Sequence, residues 1–142
     1  EGMARFVAER TVKMLIRLGK QVRGAKIGLL GLTFKEDVPD LRNTKVVDII
    51  AELEDYGIEV LVNDPLADPE EARKYYGIHL RTMEDIQGVD GIIVSVMHRY
   101  YREMGLARIC RFCSTGSSLV VDLKGGFDPA EADQLNVRYW RL

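Results

Sequence analysis

The 142-residue sequence contains only two cysteines and two histidines, and it has no long hydrophobic run. A disulfide framework needs more cysteines, and a membrane span needs about 20 consecutive apolar residues. The net charge of −2 gives no general attraction for nucleic acid or for an anionic membrane. Any anion site must therefore be local. The segment from Glu1 to Gly19 carries charges throughout, unlike a secretory signal, so we expect a cytoplasmic protein.

The sequence also lacks the complete glycine fingerprint G-x-G-x-x-G of dinucleotide-binding folds. Gly28 and Gly31 retain part of it, but twelve residues, 32–43, follow before the next predicted helix. The fingerprint requires a tight turn that brings a pyrophosphate to a helix N-terminus. A loop of this length does not make that turn, so we expect no conventional NAD site within this chain alone.

The two cysteines form one C-x-x-C pair, Cys110 and Cys113. Such a pair can be half of a zinc site or a redox pair. The sequence offers no second pair, and its only histidines are His79 and His98. Four coherent ligands cannot be named, so we predict no metal site and no redox role for this pair.

Strands and helices alternate along most of the chain. Apolar runs bounded by turn residues predict strands at 25–30, 58–62, 78–80, 91–96, 119–123 and 136–140. Amphipathic patterns predict helices at 3–18, 44–56, 68–76, 82–87 and, in part, 99–112. This order predicts an α/β, Rossmann-like fold: an open, mostly parallel sheet with helices on both faces. Residues 1–24 are interpreted as a helix and linker, and residues 25–142 as the domain.

The loop from Gly31 to Thr44 is the most informative segment. It follows a predicted buried strand, and the carboxyl ends of such strands are where open α/β sheets bind ligands. A connection that only turns a corner takes roughly 2–6 residues. The loop holds two cations among three carboxylates: Lys35, Arg42, Glu36, Asp37 and Asp40. Its length and cations predict a site for an anionic ligand, and ion pairing within the loop is the competing interpretation.

Three further polar residues follow predicted strands, and each has a structural alternative. Asp64 lies where Rossmann folds often place a ribose-binding carboxylate, but Asn63-Asp64-Pro65 is also a turn sequence, and we favour the turn. His98 follows strand 91–96, and a lone histidine is more often structural than ligand-binding. Lys124 follows strand 119–123, where an exposed turn cation is the alternative.

The residues Phe34-Lys35, Asp40-x-Arg42 and Thr44 together resemble the motif that opens the C-terminal domain of UDP-glucose/GDP-mannose dehydrogenases. The resemblance extends over nearly the whole chain and includes Asn63-Asp64-Pro65, His98 and Val121-Asp122-Leu123-Lys124-Gly125. The loop variant Phe-Lys-Glu-Asp-Val-Pro-Asp-Leu-Arg-Asn-Thr is most similar to the branch that oxidises UDP-N-acetylhexosamines for surface polysaccharides.

The resemblance implies roles for individual residues. Phe34, Lys35 and Lys124 would face the UDP-sugar. Many family members carry Arg at the position of Lys124, so this residue would supply a point charge without the guanidinium fork. Arg42 would reach toward NAD, and Asp40 would orient the loop. His98 is a further candidate for ligand contact.

The resemblance also implies the reaction of the complete enzyme, in which a sugar C6 alcohol is oxidised to a carboxylate by NAD⁺. The catalytic cysteine and the main NAD site would lie in an N-terminal region outside this sequence, so the chain alone is expected to be inactive. Residues 1–24 would include the tail of the central helix that forms a homodimer. The alternative is a stand-alone nucleotide-binding or regulatory module with no reaction of its own, but the uncapped first helix favours a piece of a longer protein.

Overall fold

The computed structural model describes residues 2–114 and 118–142. In these residues one parallel sheet contains the strands β1 (Lys26–Leu30), β2 (Glu59–Asn63), β3 (Gly91–Val94), β4 (Leu119–Asp122) and β5 (Arg138–Arg141). The spatial order is β2-β1-β3-β4-β5. The order reverses between β1 and β3, and such a reversal opens a binding crevice at the carboxyl ends of the strands.

The described helices are α1 (Gly2–Arg17), α2 (Val46–Asp55), α3 (Pro69–Tyr76), α4 (Arg99–Cys110) and α5 (Pro129–Gln134), with a 3-10 turn at Met83–Asp85. Both α3 and α5 begin with a proline that follows a capping aspartate. Asp68 accepts the N–H of Glu70, and Asp128 accepts the N–H of Ala130. Helix α4 is interrupted at Gly105, where φ is 84°. The partly helical segment predicted there is confirmed.

Two apolar clusters cover the two faces of the sheet. Along β1, Ile27 and Leu29 point to one cluster and Leu30 to the other, as the two-residue period of a strand requires. Helices α1, α2 and α3 contribute to the first cluster, and α4 and α5 to the second. The predicted Rossmann-like sheet with helices on both faces is therefore confirmed. Because β1, β3 and β4 are covered on both sides, they consist almost entirely of apolar residues.

Helix α1 packs against this core. Its buried residues include Val7, Ala8 and Leu15, and it contacts α2. The guanidinium of Arg10 lies 5.5 Å from the centre of the Trp140 ring, a cation–π contact that connects α1 to β5. The boundary placed after residue 24 remains a prediction. Within the described residues, no helix combines the length and the apolar character that crossing a membrane would require.

The predicted strand at 78–80 was wrong, and helix α5 was not predicted. Residues 78–80 form no strand: Ile78 donates its N–H to the carbonyl of Ala72 in α3, while its side chain and that of Leu80 pack against the core. Ile78 and Leu80 are apolar because they pack against the core, not because they pair in a sheet. Helix α5 was missed because only Ala132 is buried in it, so no amphipathic stripe marks the sequence.

The end of β1 approaches the segment after β3 very closely at Gly31. Gly31 has φ of 100°, and an added Cβ would lie 2.6 Å from Cβ and 2.7 Å from N of Val96. Its N–H donates to the carbonyl of Asn63 over 2.8 Å. Glycine is thus needed here for both its backbone angle and its size.

We expect Gly31→Ala to lower the free energy of unfolding by about 2–5 kcal/mol, since left-handed strain and a clash with backbone atoms add together. Gly77→Ala is a matched control, because Gly77 has φ of 67° and open space around it. The control should cost only about 1–2 kcal/mol. Urea denaturation of both variants measures the difference, and equal losses would contradict the close approach at Val96.

Candidate functional site

A buried carboxylate lies at the centre of the carboxyl edge of the sheet. Asp64 follows β2, and its Oδ2 accepts the N–H groups of Leu32 at 2.6 Å and Thr33 at 3.0 Å. Its Oδ1 accepts the N–H groups of Leu66 at 2.9 Å and Ala67 at 3.2 Å. The turn interpretation of this residue is confirmed. The same side chain also fixes the start of the loop after β1, which the sequence did not indicate.

His98 completes this buried cluster. Its Nε2 lies 2.9 Å from Oδ2 of Asp64 and 3.2 Å from Oγ1 of Thr33, and its Nδ1 accepts the N–H of Asp37 over 2.9 Å. Because Nδ1 is an acceptor, the proton of the neutral ring is assigned to Nε2, which donates it to Asp64. The side chain is 1% exposed. The structure therefore places His98 behind the loop, not on its solvent side.

The pKa of Asp64 reflects two opposing effects. Burial raises it, but the hydrogen bonds from His98 and from the N–H groups of Leu32 and Thr33 outweigh burial, so the pKa falls below its ordinary value of 3.8. The carboxylate stays ionised at neutral pH.

Tyr101 supports the cluster from α4. Its ring centre lies 5.8 Å from that of His98, and its hydroxyl lies 2.7 Å from Oδ1 and 2.9 Å from the carbonyl of Asn63. Burial, followed by the negative charge of Asp64, raises the pKa of Tyr101 well above its ordinary range. The phenol is thus a neutral hydrogen-bond donor.

The loop after β1 is fixed along its length. The N–H of Phe34 donates to the carbonyl of Asp40 over 2.7 Å, which joins the two limbs of the loop. At its tip, Asp37 has φ of 61°, and its carboxylate accepts the N–H of Arg99 over 2.8 Å at the start of α4. This contact supplies the N-terminal cap that the His98 side chain does not provide.

The structure brings Phe34 and Lys124 to one opening. They line a pocket of about 150 Å³ between the loops after β1 and β4, together with Thr44, Lys45, Ser95, Val96 and other residues. Phe34 is 53% exposed. Lys35 lies next to it in the chain and is exposed, and its ammonium makes no hydrogen bond or ion pair with residues 2–114 or 118–142. An exposed aromatic ring and the exposed lysine Lys124 thus line one pocket, and Lys35 follows that ring in the chain.

Arg42 lies at a different opening. It lines a cleft of about 580 Å³ with Asp40, Asp68, Glu71 and Tyr75, among others. Its Nε and Nη2 lie 3.1 Å and 3.2 Å from the two carboxylate oxygens of Asp40, and this side-chain hydrogen bonding lowers the pKa of Asp40. The pair is exposed to water and adds little stability. In this structure Arg42 is thus ion-paired within the loop, a contact that the competing interpretation also predicts.

A second buried carboxylate shapes the turn of Lys124, and sequence reasoning gave it no role. Oδ1 of Asp122 accepts the N–H of Lys124 at 3.2 Å. Its Oδ2 accepts the N–H of Phe127 at 3.0 Å and the hydroxyl of Tyr139 at 2.6 Å. Burial, followed by Asp122, raises the pKa of Tyr139. In the sequence, an acidic residue directly at the end of an apolar run could have indicated this role.

The two cysteines lie at the opposite edge of the sheet. Cys113 forms a bridge with Val89, just before β3, and Cys110 ends α4. Both are free thiols. Burial raises the pKa of Cys110 to about 11 and also raises that of Cys113. Both therefore remain protonated, and poorly nucleophilic, at neutral pH.

Comparisons with known proteins agree on one family. The sequence model of the UDP binding domain of the UDP-glucose/GDP-mannose dehydrogenase family matches residues 28–129. The chain is 41% identical to Protein CapL of Staphylococcus aureus, with 100% of the chain and 33% of that protein covered. It is also 41% identical to a UDP-N-acetyl-D-glucosamine 6-dehydrogenase of Pseudomonas aeruginosa, with 94% of the chain and 31% of that protein covered.

A solved structure supports the same assignment. The NDP-N-acetyl-D-galactosaminuronic acid dehydrogenase of Methanosarcina mazei Go1 superposes with a TM-score of 0.86 at 25% identity, over 98% of this chain and 29% of that one. The chain thus spans about a third of the length of the curated relatives it matches.

We expect Asp64→Asn to lower the free energy of unfolding at pH 7 by about 1–3 kcal/mol, because the amide replaces a charged acceptor of several hydrogen bonds. The pKa of Asp64 is lowered on folding, so its contribution is present above the unfolded value near 3.8 and is lost as the pH falls through the folded value. The variant should therefore lose less stability than the wild type on acidification.

The measurement is urea denaturation at pH 7 and at several values below pH 5. Asp85→Asn, at an exposed carboxylate in the 3-10 turn, serves as the control. If the two variants behave alike at every pH, the charged network around Asp64 does not stabilise the fold.

Proposed function

The chain belongs to the UDP-glucose/GDP-mannose dehydrogenase family, matching its UDP binding domain, and from this membership we propose that it binds the UDP part of a UDP-sugar within an NAD-dependent sugar 6-dehydrogenase. The family resemblance recognised in the sequence is confirmed. The observation that carries the proposal is that Phe34 and Lys124, from loops far apart in sequence, line one pocket at the carboxyl edge. This edge is where open α/β sheets bind ligands.

Residues that line this opening or adjoin it in sequence suit a nucleoside diphosphate. Lys35 and Lys124 are exposed ammonium groups, which can donate charge-assisted hydrogen bonds to phosphate oxygens. The exposed ring of Phe34 offers a face on which a base can stack, an interaction worth about 1–3 kcal/mol. The carboxylate of Asp64, which holds the start of this loop, is buried and saturated by donors, so it leaves no unpaired charge there.

Arg42 is proposed to contact NAD in the complete enzyme. A guanidinium that pairs with both oxygens of Asp40 presents the fork geometry that also matches a phosphate. The pair is exposed, so exchanging the carboxylate for a phosphate costs little. Asp40 would then orient the loop without contacting the ligand.

The complete enzyme is proposed to oxidise the sugar C6 alcohol to a carboxylate with NAD⁺. The catalytic residues and the main NAD site would come from outside these residues, and the chain alone would be inactive. A UDP-N-acetylhexosamine is the proposed substrate, used in the cytoplasm for surface polysaccharide synthesis. Helix α1 is proposed to continue into a homodimer interface, which is consistent with the exposed side chains of Phe6 and Ile16.

Replacing Lys124, which lines the pocket, and Lys35, which follows Phe34 in the chain, tests UDP binding. We expect Lys35→Ala and Lys124→Ala each to weaken UDP binding by about 10–150-fold, the cost of roughly 1.5–3 kcal/mol for one charge-assisted hydrogen bond. Isothermal titration calorimetry with UDP gives the affinities. Lys74→Ala, at an exposed lysine of α3, is the matched control and should bind like the wild type.

Arg42→Ala should leave UDP affinity within about 2-fold of the wild type, since its loss removes no hydrogen bond to UDP. It should instead raise the KM for NAD⁺ in the complete enzyme. Unchanged affinity in both lysine variants would remove the basis for placing UDP at this pocket.

The preferred sugar is tested in the complete enzyme. We expect kcat/KM to be higher for UDP-N-acetylglucosamine or UDP-N-acetylgalactosamine than for UDP-glucose. A site that hydrogen-bonds the 2-acetamido group leaves buried polar atoms unpaired when glucose binds, which discriminates strongly. Steady-state NADH formation with the three sugars measures this preference. If UDP-glucose is the best substrate, the assignment to the UDP-N-acetylhexosamine branch is wrong, while the family assignment is unaffected.

A further inference from the structure

His98 is a buried histidine to which the proposed function gives no direct task. We propose that His98 is a positioning residue: the unprotonated Nδ1 of its Nε2–H tautomer holds the Phe34–Lys35 segment in the conformation that binds UDP. The identity of the ligand as UDP rests on the proposed function, whereas the geometry of the loop is independent of it.

His98 contacts the segment at both ends, and Asp64 holds it at one end. At one end, Thr33 donates its N–H to Asp64 over 3.0 Å, and its Oγ1 lies 3.2 Å from Nε2 of His98. At the other end, Asp37 donates its N–H to Nδ1 of His98 over 2.9 Å. Only residues 34–36 lie between these two points. His98 and Asp64 therefore close a short arch whose outer side carries Phe34 and Lys35.

The arch has a backbone cost that its contacts must offset. Asp37 has φ of 61°, a left-handed conformation that disfavours side chains with a Cβ. Its N–H is paired with His98, and its carboxylate with the N–H of Arg99. Without the Nδ1 acceptor, the N–H of Asp37 loses its partner and the left-handed tip loses one of its two supports.

The ring has one arrangement that satisfies its neighbours. Asp64 needs a donor, and the N–H of Asp37 needs an acceptor. The opposite tautomer would place N–H against N–H at Asp37 and an unprotonated nitrogen against the carboxylate. Tyr101 packs against the ring and is itself anchored to Asn63, so the ring is also confined sterically. The Nε2–H tautomer is thus the one that fits this loop conformation.

Two substitutions of His98 by an amide side chain distinguish this positioning role from simple packing. Asn is short, and its Oδ1 falls near the position of Nδ1, so His98→Asn keeps an acceptor for Asp37 and loses the donor to Asp64. Gln is longer, and its Nε2 falls near the ring Nε2, so His98→Gln keeps the donor to Asp64 and loses the acceptor for Asp37. The corresponding variants of His79, which is exposed, are the matched controls.

The experiment measures UDP affinity by calorimetry, unfolding by urea, and hydrogen exchange of the Asp37 amide by NMR, all with the 142-residue chain. We expect His98→Asn to bind UDP within about 2-fold of the wild type and to keep the Asp37 amide protected. His98→Gln should bind about 2- to 12-fold more weakly, the range for one neutral hydrogen bond, and its Asp37 amide should exchange faster.

Stability should follow the opposite order. His98→Asn leaves the buried Asp64 without its side-chain donor and should be the less stable variant, whereas His98→Gln keeps that donor. A residue that only packs would change affinity and stability in the same order. If UDP affinity follows stability across the two variants, or if both bind like the wild type, the proposal is overturned.

The wild-type ring gives an independent test. Long-range ¹H–¹⁵N spectra should show the proton of His98 on Nε2, and a proton on Nδ1 would overturn the proposal. If the wild-type chain does not bind UDP, the proposed function fails, and the Asp37 amide alone decides: slow exchange in the wild type and fast exchange in His98→Gln supports the positioning role, and equal exchange overturns it. The same comparison decides if His98→Asn does not fold.

Discussion

The structure depends on keeping the buried carboxylate of Asp64 ionised. An unpaired buried charge costs several kcal/mol, so the surrounding chain must supply donors. It does so with the N–H groups of Leu32, Thr33, Leu66 and Ala67 and with Nε2 of His98. These donors come from the loops after β1, β2 and β3. One charge therefore fixes the relative positions of three loops at the edge where the strand order reverses.

The carboxyl edge contains two buried aspartates that accept backbone N–H groups. Asp64 directly follows β2 and holds the start of the loop that carries Phe34 and Lys35. Asp122 is the last residue of β4 and holds the turn that carries Lys124. In both places the carboxylate points inward and binds backbone N–H groups, while the neighbouring lysine stays exposed. These two buried carboxylates are saturated with donors, so neither leaves an unpaired negative charge beside the exposed lysines.

The sequence predicted what periodicity and chain position can encode. The fully covered strands β1 and β3 were found from their apolar runs, and α2 from its buried stripe. Helix α5 buries little and left no pattern. In the site, motif and position pointed to Phe34, Lys35 and Lys124, and the pocket brings Phe34 and Lys124 together. The inward direction of His98 could not be predicted, because it depends on the acceptor needed by the N–H of Asp37, sixty-one residues away.

Charge alone could not separate Lys35 from Arg42, and the structure does so through Asp40. The carboxylate of Asp40 holds Arg42 at one opening, while its carbonyl accepts the N–H of Phe34, whose ring lies at the other. Asp40 therefore contacts both the part of the loop that carries Phe34 and the part that carries Arg42. Moving the backbone at Asp40 would therefore shift both the guanidinium and the aromatic ring. The ion pair of Arg42 and the bond that holds Phe34 thus use different atoms of one residue.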